Sequence, residues 1–489
     1  MSVLTSTLNA GQNLQKANLE GGFYNIINGK RVLSGGKLTV INPANGTELA
    51  TVPDIDRDGL ASAVAAARAA FPAWSATPYN QRRRQLAAVL EELEKHTEEL
   101  CALFTAEQGR PLEGARWEID WVLKRLGPAL LKLQLPDEEH DSNQIGHVTV
   151  RYVPLGVVCA ISPWNLPFLL SFTKVLPALL SGNTVVLKPS PFTPLTVLRT
   201  ADYIRELLPA GVLNVITGGD DLGPWMTAHP GFDKIDFTGS TQTGKRVFES
   251  AAATLKHLTL ELGGNDPGIV LPDADPKEIA QALFWSMFLF NGQGCITLKR
   301  LYVHEDIYDQ LTKALVSVAQ QVKTGDGFDP ESGLGPVQNR LQYDRLQAVW
   351  KEIEQSGARI LFKGAIPQAS KGFFFPVTMV DNPPDHASFV AKEVFGPIRS
   401  ILKYKNLDEA VQRANDTPYG LGASVWGKDP PTLRSVARRL NAGTVWVNQH
   451  LAVSPEFPFG GHKESGIGVQ QGLEGLRSYC NIQVIAERQ

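Results

Sequence analysis

The chain has 489 residues, 43% of them hydrophobic and 20% charged, and a formal net charge of −3. This is ordinary globular composition, with length for about three domains and for several cores that need no disulfide or metal staple. It excludes global disorder, and the absence of any basic run argues against a nucleic-acid partner.

Cys101, Cys159, Cys295 and Cys480 are widely spaced with no CxxC. That disfavours a zinc site or a disulfide scaffold and suits a reducing, cytoplasmic setting. No metal is expected. The longest dense apolar stretch, 283–290, is far too short to span a membrane. The first 20 residues lack a basic start followed by an apolar run, so they read as a polar, mobile arm rather than a secretory signal.

Residues 58–108 read as helices. Leu60, Val64, Ala67 and Phe71 share one face behind Asp58 as N-cap. Asn80 opens a second helix whose face carries Leu86, Val89, Leu90 and Leu93, and Gly109 and Pro111 stop the region.

From Gly156 short β-branched runs alternate with helical stretches: VVCAI, 168–180, TVVL, 194–207, LNVI, 222–229, KIDF, 243–254. Apolar strands separated by amphipathic helices predict a parallel sheet covered on both faces, whose ligands lie beyond the carboxyl ends of the strands. A second α/β series follows Glu261-Leu262-Gly263-Gly264: PGIVL, a helix over 276–289, RLYVH, a helix over 306–323, and later TVWVN. Two segments fit neither series. Residues 147–153 alternate Val148, Val150 and Tyr152, and 480–485 is strand-like. Neither has an obvious sheet partner in its own domain, and an intersubunit sheet is one solution, because open edges invite pairing.

Several short motifs have chemical potential. In Gly292-Gln293-Gly294-Cys295 the glycines allow close approach to a thiol. Alone, Cys295 reads more readily as a buried structural cysteine. Glu261 ends strand 258–262 among apolar residues and glycines, where desolvation would suit a general base; alone it reads as an ordinary strand-end carboxylate. Pro163-Trp164-Asn165-Leu166-Pro167 holds Asn165 on a stiff loop, with an amide able to donate to an oxyanion or merely to make an Asx-turn.

Phe237-Thr238-Gly239-Ser240, followed by Gly244-Lys245, resembles a phosphate-binding turn at a helix N-terminus, but it matches neither GxGxxG nor GxxxxGK[ST]. Lys188-Pro189-Ser190 ends a strand, where Lys188 could reach ribose or phosphate or simply be solvated. Glu393-Val394-Phe395-Gly396-Pro397 puts a carboxylate and a ring on one loop, suited to a ribose diol and a flat base.

Taken together, PWNLP, KPS, FTGS-x3-GK, ELGG, GQGC, EVFGP and PFGGHKESG resemble, in order and over nearly the whole chain, the motifs of the aldehyde dehydrogenase superfamily. The resemblance implies an α/β fold: a Rossmann-like cofactor domain (1–136 and 155–262), a second α/β catalytic domain (263–463), and an oligomerisation arm and tail (137–154 and 464–489). It implies an NAD(P)-dependent, non-acylating enzyme working on a small aldehyde as a homodimer or homotetramer.

The same resemblance makes Cys295 the nucleophile, Asn165 an oxyanion donor, Glu261 the base for deacylating water, and Lys174 a supporting group near Glu261. It assigns Trp164, Lys188, Ser190, Gly239, Ser240, Gly244, Glu393 and Phe395 to the cofactor. It lines the substrate channel with Leu166, Leu170, Thr173, Leu289, Ile296, Val453 and Phe459, none cationic, and brings Trp121 of the 110–125 helix close by. Uncharged apolar aldehydes, medium-chain aliphatic or aromatic, are therefore the expected substrates.

Two departures stand out. Pro191 replaces a glutamate common in the family that grips the adenosine ribose, so NAD is expected with NADP as a second cofactor. Residues 295–300, CITLKR, are bulkier than the usual small-residue version, and Ile296 should narrow the channel. The alternatives are a semialdehyde or CoA-acylating enzyme, or a catalytically silent relative with a structural role.

Overall fold

The structure is a computed structural model describing residues 17–19, 21–33, 35–368 and 371–488. Most of the N-terminal segment read as an arm lies outside the described residues.

Five parallel strands form the heart of the first sheet. Their spatial order is Leu213–Val215, Thr184–Lys188, Val157–Ile161, Lys234–Thr238, His257–Glu261. In chain order this is 3-2-1-4-5, the doubly wound arrangement, so the order reverses between Val157–Ile161 and Lys234–Thr238. The crevice above that reversal is where the loops 162–166 and 239–240 emerge. The strands are buried throughout their central members, which explains their continuous apolar sequences. Antiparallel strands close both flanks: Asn25–Ile27 on one, Gly466–Ile467 on the other. The latter comes from the segment expected to be tail, which therefore also completes the first sheet beside Glu261.

The second sheet has seven strands, with Pro267–Val270 and Arg300–His304 at its centre. All its pairings are parallel except that of the edge strand Ile360–Lys363.

The two segments without an evident partner find each other. Cys480–Glu487 pairs antiparallel with Gly146–Pro154 from Cys480↔Pro154 to Glu487↔His147, and Glu138–Ser142 adds a third strand. The pairing lies within one chain and needs no second subunit. Local pattern could not reveal it because the partners are far apart in sequence.

Helix starts are set by caps. The first long helix, Arg57–Ala76, is capped by Asp56, whose carboxylate accepts from Gly59 N at 2.8 Å, rather than by Asp58, which lies inside it. The next begins at Tyr79 behind Pro78, one residue before Asn80. Among the described residues no helix is long and apolar enough to cross a membrane.

Candidate active site

Asn165 is fixed from three sides. Its side-chain amide donates to Gln293 O at 3.0 Å, and its own carbonyl accepts from Arg110 Nη2 at 2.6 Å and Gln108 Nε2 at 3.5 Å. Arg110 is itself paired with Glu118 at 2.8 Å, both side chains almost fully buried. Glu118 Oε1 accepts from Phe168 N and Leu169 N, the orphan donors at the start of helix Pro167–Leu180. One buried ion pair thus joins the loop carrying Asn165 to the helix behind it. Removing either member would leave an uncompensated buried charge, a change that typically costs about 3–5 kcal/mol. Neither residue belongs to a recognisable motif, so sequence reasoning missed both.

The cysteine loop is equally constrained. Helix Pro276–Phe288 ends in a turn where Phe290 and Asn291 both adopt left-handed backbone, φ 58° and 56°. Such residues cost on the order of 1–3 kcal/mol each and persist only where the surroundings hold them. Here Arg399 donates to Gly292 O and Thr297 Oγ1, each at 3.0 Å. Lys299 Nζ donates to Gly294 O at 2.9 Å and to Cys295 O at 2.6 Å. The bulky CITLKR stretch therefore has a use the sequence did not announce: its lysine braces the carbonyls around the thiol.

Cys295 is half-buried and sits where two cavities meet. Burial pushes its thiol up to about 12, with Lys299 pulling the other way. The other three cysteines are buried, and all four are free.

The first cavity holds about 650 Å³. Leu166, Leu170, Leu289, Ile296, Val453 and Phe459 line it as expected, together with Trp121 and Glu261. Thr173 does not: it is buried, and its hydroxyl turns back to Leu170 O at 3.2 Å. Leu169, Phe290, Leu451 and Trp117 also line it; the first three are neighbours of expected residues and Trp117 lies one helical turn before Trp121, so the segments were named but not every side chain that faces the cavity. The wall also holds Arg116, Lys124 and Arg125. Arg116 pairs with Glu98 and Lys124 with Asp120, so much of that charge is balanced locally.

Glu261 lies at the end of its strand, beside Thr238, with both carboxylate oxygens buried and unpartnered. Burial raises its pKa well above the usual carboxylate range, and Asp236 adds to the rise while Lys174 opposes it. Lys174 does not hydrogen-bond Glu261. It is fully buried, donating to Thr238 Oγ1 at 2.6 Å and lying 3.4 Å from Asp236 Oδ1.

The second cavity, about 570 Å³, opens above the strand-order reversal. Trp164, Gly239, Ser240, Glu393 and Phe395 line it, with Asn165 and Cys295 at its inner end. Trp164 and Phe395 meet edge to face at 5.4 Å. Glu393 Oε1 accepts from Gly264 N at 3.2 Å and lies 3.4 Å from Lys299 Nζ. A Cβ at Gly263 would come within 2.3 Å of Glu393 Oε2, so a side chain there would displace that carboxylate. Ser240 caps helix Thr241–Ala252 by accepting from Thr243 N. Gly239 N already donates to Glu261 O, so the donors left at this turn by helix geometry are those of Thr241 and Gln242, which also line the cleft.

Three expected cofactor residues stand outside these walls. Lys188 is buried at its strand end, its pKa lowered to about 8 by burial. Ser190 is buried and accepts from Phe192 N. Gly244 is small for packing: a Cβ there would strike the Leu262 side chain at 2.4 Å.

A cysteine-bearing loop between a largely apolar cavity and a cleft at a doubly wound switch point is now defined. The family model for the aldehyde dehydrogenase family matches residues 32–485. The chain belongs to the aldehyde dehydrogenase family. It is 38% identical to aldehyde dehydrogenase LUC3 from a Fusarium species, over 95% of this chain and 98% of that one. It is 37% identical to phenylacetaldehyde dehydrogenase of Pseudomonas fluorescens, covering 90% of this chain and 91% of that one. Among solved structures, betaine aldehyde dehydrogenase of Staphylococcus aureus in complex with NAD+ superposes with a TM-score of 0.94 at 31% identity, over 97% of each chain.

Proposed function

We propose that this family member oxidises uncharged apolar aldehydes, medium-chain aliphatic or aromatic, to carboxylic acids with NAD. The observation that carries the reading is the position of Cys295, exposed on one side to a cavity whose inner wall is Leu166, Leu170, Leu289, Ile296, Val453 and Phe459, with charged residues also in its wall, and on the other to the switch-point cleft.

The cleft fits a dinucleotide. It offers a helix N-terminus at Ser240 and Thr241 for an anion, the Glu393 carboxylate for a ribose diol, and the Phe395 and Trp164 rings for a flat base. When bound, NAD would supply the acceptor for hydride. Lys188 and Ser190 lie on the adjoining strand end, where the adenosine half would run.

The remaining chemistry falls to the chain's own side chains. Cys295 Sγ adds to the aldehyde carbon. The developing oxyanion is met by the Asn165 amide and the Cys295 N–H, and one such donor is typically worth about 2.7–4 kcal/mol. Oxidation leaves a thioester on Sγ. Glu261 takes a proton from water, which hydrolyses that thioester. Burial makes Glu261 a strong base once ionised, and Lys174 favours the ionised form. The apolar wall holds the substrate tail, at up to about 0.8 kcal/mol per buried methylene.

Residues 1–136 with 155–262 act as the cofactor domain and 263–463 as the catalytic domain. The three-stranded sheet of 137–154 and the tail serves a homo-oligomer. Ile482 and Val484, 69% and 60% exposed on its edge strand, are the apolar surface for that contact.

An aldehyde panel read by NADH absorbance, with and without CoA, tests the reading. Hexanal, benzaldehyde and phenylacetaldehyde should give higher kcat/KM than succinic semialdehyde, with no CoA requirement. Preference for the semialdehyde would refute the substrate class, and a CoA requirement would refute hydrolysis. The phenylacetaldehyde dehydrogenase relative supports the aromatic arm of the panel.

A further inference from the structure

Strand Lys234–Thr238 carries two charged side chains into a buried sheet, and both are almost wholly hidden from solvent. Side chains two apart on a strand share a face, so Lys234, Asp236 and Thr238 point the same way. The parallel register sets Asp236 beside Thr259 and Thr238 beside Glu261. Asp236 therefore lies on the face that carries the Glu261 carboxylate. Helix Pro167–Leu180 brings Lys174 to this face, and the C-terminal segment adds Gln470 and Tyr479.

The donors converge on Asp236. Gln470 Nε2 donates to its Oδ1 at 2.8 Å and the Tyr479 hydroxyl to its Oδ2 at 2.5 Å, while Lys174 Nζ stands 3.4 Å from Oδ1. Lys174 also donates to Thr238 Oγ1 at 2.6 Å. Lys234, the second buried cation, turns to Thr259 Oγ1 at 2.6 Å and to the Tyr479 ring. None of these bonds reaches Glu261, whose two oxygens stay unpartnered.

A buried ammonium near a buried carboxylate gains by bonding it, because both have lost their hydration. Lys174 instead acts on Glu261 through its charge alone, with its donors directed to Thr238 and Asp236. The difference matters to a general base. A lysine bonded to Glu261 would occupy the lone pairs that must receive a proton from water, and would make the carboxylate a weaker base. A lysine held back leaves them open.

We propose that Asp236 is a positioning residue for thioester hydrolysis: by pairing with Lys174 it keeps that cation off Glu261 and leaves both Glu261 oxygens free for water. The inference rests on the role given to Glu261 above. Three ionisable groups face Glu261: Lys174 from the helix, Asp236 from the neighbouring strand and Cys295 from the cysteine loop. Loss of the Asp236 charge removes a cause that raises Glu261, and release of Lys174 strengthens the cause that lowers it. Both move the acidic limb of hydrolysis to lower pH.

Acid quenching of the full chain loaded with NAD and a radiolabelled aldehyde, over time and pH, reads the decay of the acyl-enzyme. Asp236→Asn keeps the size of the side chain and can still meet Gln470 and Tyr479, since a hydroxyl accepts as well as donates. It should release one NADH per site in the burst and bind NAD with unchanged affinity. Its acyl-enzyme should decay about tenfold more slowly on the plateau, with the acidic limb lower by about one pH unit. In Lys174→Met the limb should move to higher pH. Adding Asp236→Asn to Lys174→Met should change the decay by no more than about twofold, because Asp236 acts through the lysine. An unshifted limb in Asp236→Asn, or equal slowing by Asp236→Asn with and without Lys174, would overturn the proposal. Should Asp236→Asn fail to fold, Asp236→Ser, which leaves room for a water, carries the same expectations. Glu261→Gln separates the two readings. If its acyl-enzyme decays normally, Glu261 is not the base, and this inference falls with that reading. If it decays slowly while Asp236→Asn decays normally, only this inference falls.

Discussion

The two cavities that meet at Cys295 are built by different rules. The switch-point cleft is made of turns at strand ends: Pro163-Trp164-Asn165, Thr238-Gly239-Ser240, Gly263-Gly264 and Glu393-Val394-Phe395. Each turn demands particular residues because backbone must come close to backbone or to an anion. The aldehyde-side cavity is made of side chains from two helical segments, the loops at 451–459 and 470–471 and the cysteine turn, packed around empty space. Many apolar residues could fill those places. The first kind of site is constrained in sequence and the second mainly in volume.

A substitution at the junction should stop the chemistry while leaving the cleft able to bind. Cys295→Ala is expected to cut aldehyde oxidation by more than about a thousandfold, since it removes the attacking atom and no neighbouring thiol replaces it. The protein should remain folded and NAD should still quench its tryptophan fluorescence, because the cleft walls persist. Substantial turnover would move the nucleophile elsewhere.

Glu261 faces the aldehyde side alone, so its loss should separate acylation from hydrolysis. Glu261→Gln should give one NADH per site in a rapid-mixing experiment and then a steady rate about a hundredfold or more below normal. A normal steady rate would remove Glu261 from deacylation. Absence of a burst would instead tie it to activation of Cys295.

The comparison also has a pH signature. Burial disfavours the Cys295 thiolate and raises its pKa to about 12 in the ligand-free chain, with Lys299 too weak to reverse this. A raised thiol pKa means less thiolate at any given pH below it. Alkylation of Cys295 by iodoacetamide should therefore climb about tenfold per pH unit from pH 6 to 9 without a plateau. Addition of NAD, which would bring a cationic ring to the cleft side, should raise the rate at pH 7. A plateau near neutrality without NAD would show that the thiolate is already formed.

These contrasts match what was legible in the sequence. The parallel strands of the first sheet were readable to within a residue or two, because buried strands are apolar throughout. The cleft residues Asn165, Gly239, Ser240, Glu393 and Phe395 were readable as turn chemistry. Ser190 and Gly244 do not line the cleft itself: Ser190 accepts from Phe192 N, and Gly244 packs against Leu262. On the aldehyde side, Thr173 was misplaced by its helical neighbourhood with Leu170, whereas its hydroxyl serves the helix backbone. Arg110, Glu118, Lys299 and Arg399 were invisible. Each is a single charged residue outside any recognisable motif: Arg110, Lys299 and Arg399 donate mainly to backbone carbonyls, and Glu118 accepts from Arg110 and from the Phe168 and Leu169 N–H groups.

The smallest expected effect tests how far the cleft's legibility extends, at its adenosine end. Pro191 follows Lys188-Pro189-Ser190 and puts no charge where a carboxylate would grip a ribose diol and repel a 2′-phosphate. Loss of a repulsive element widens specificity without reversing it, because discrimination is a difference between two affinities. Lys188, with its pKa lowered to about 8 by burial, is still mostly charged at pH 7 and stays available to attract that phosphate. NAD should therefore be the working cofactor, with measurable NADP turnover. Pro191→Glu should lower kcat/KM for NADP several-fold more than for NAD, an effect of about 1 kcal/mol for one partly screened charge pair. If wild type gives no NADP turnover, or the ratio is unchanged in the variant, then the ribose is read by side chains other than those at this turn. The cofactor side would then share the aldehyde side's property of being set by tertiary packing rather than by motif.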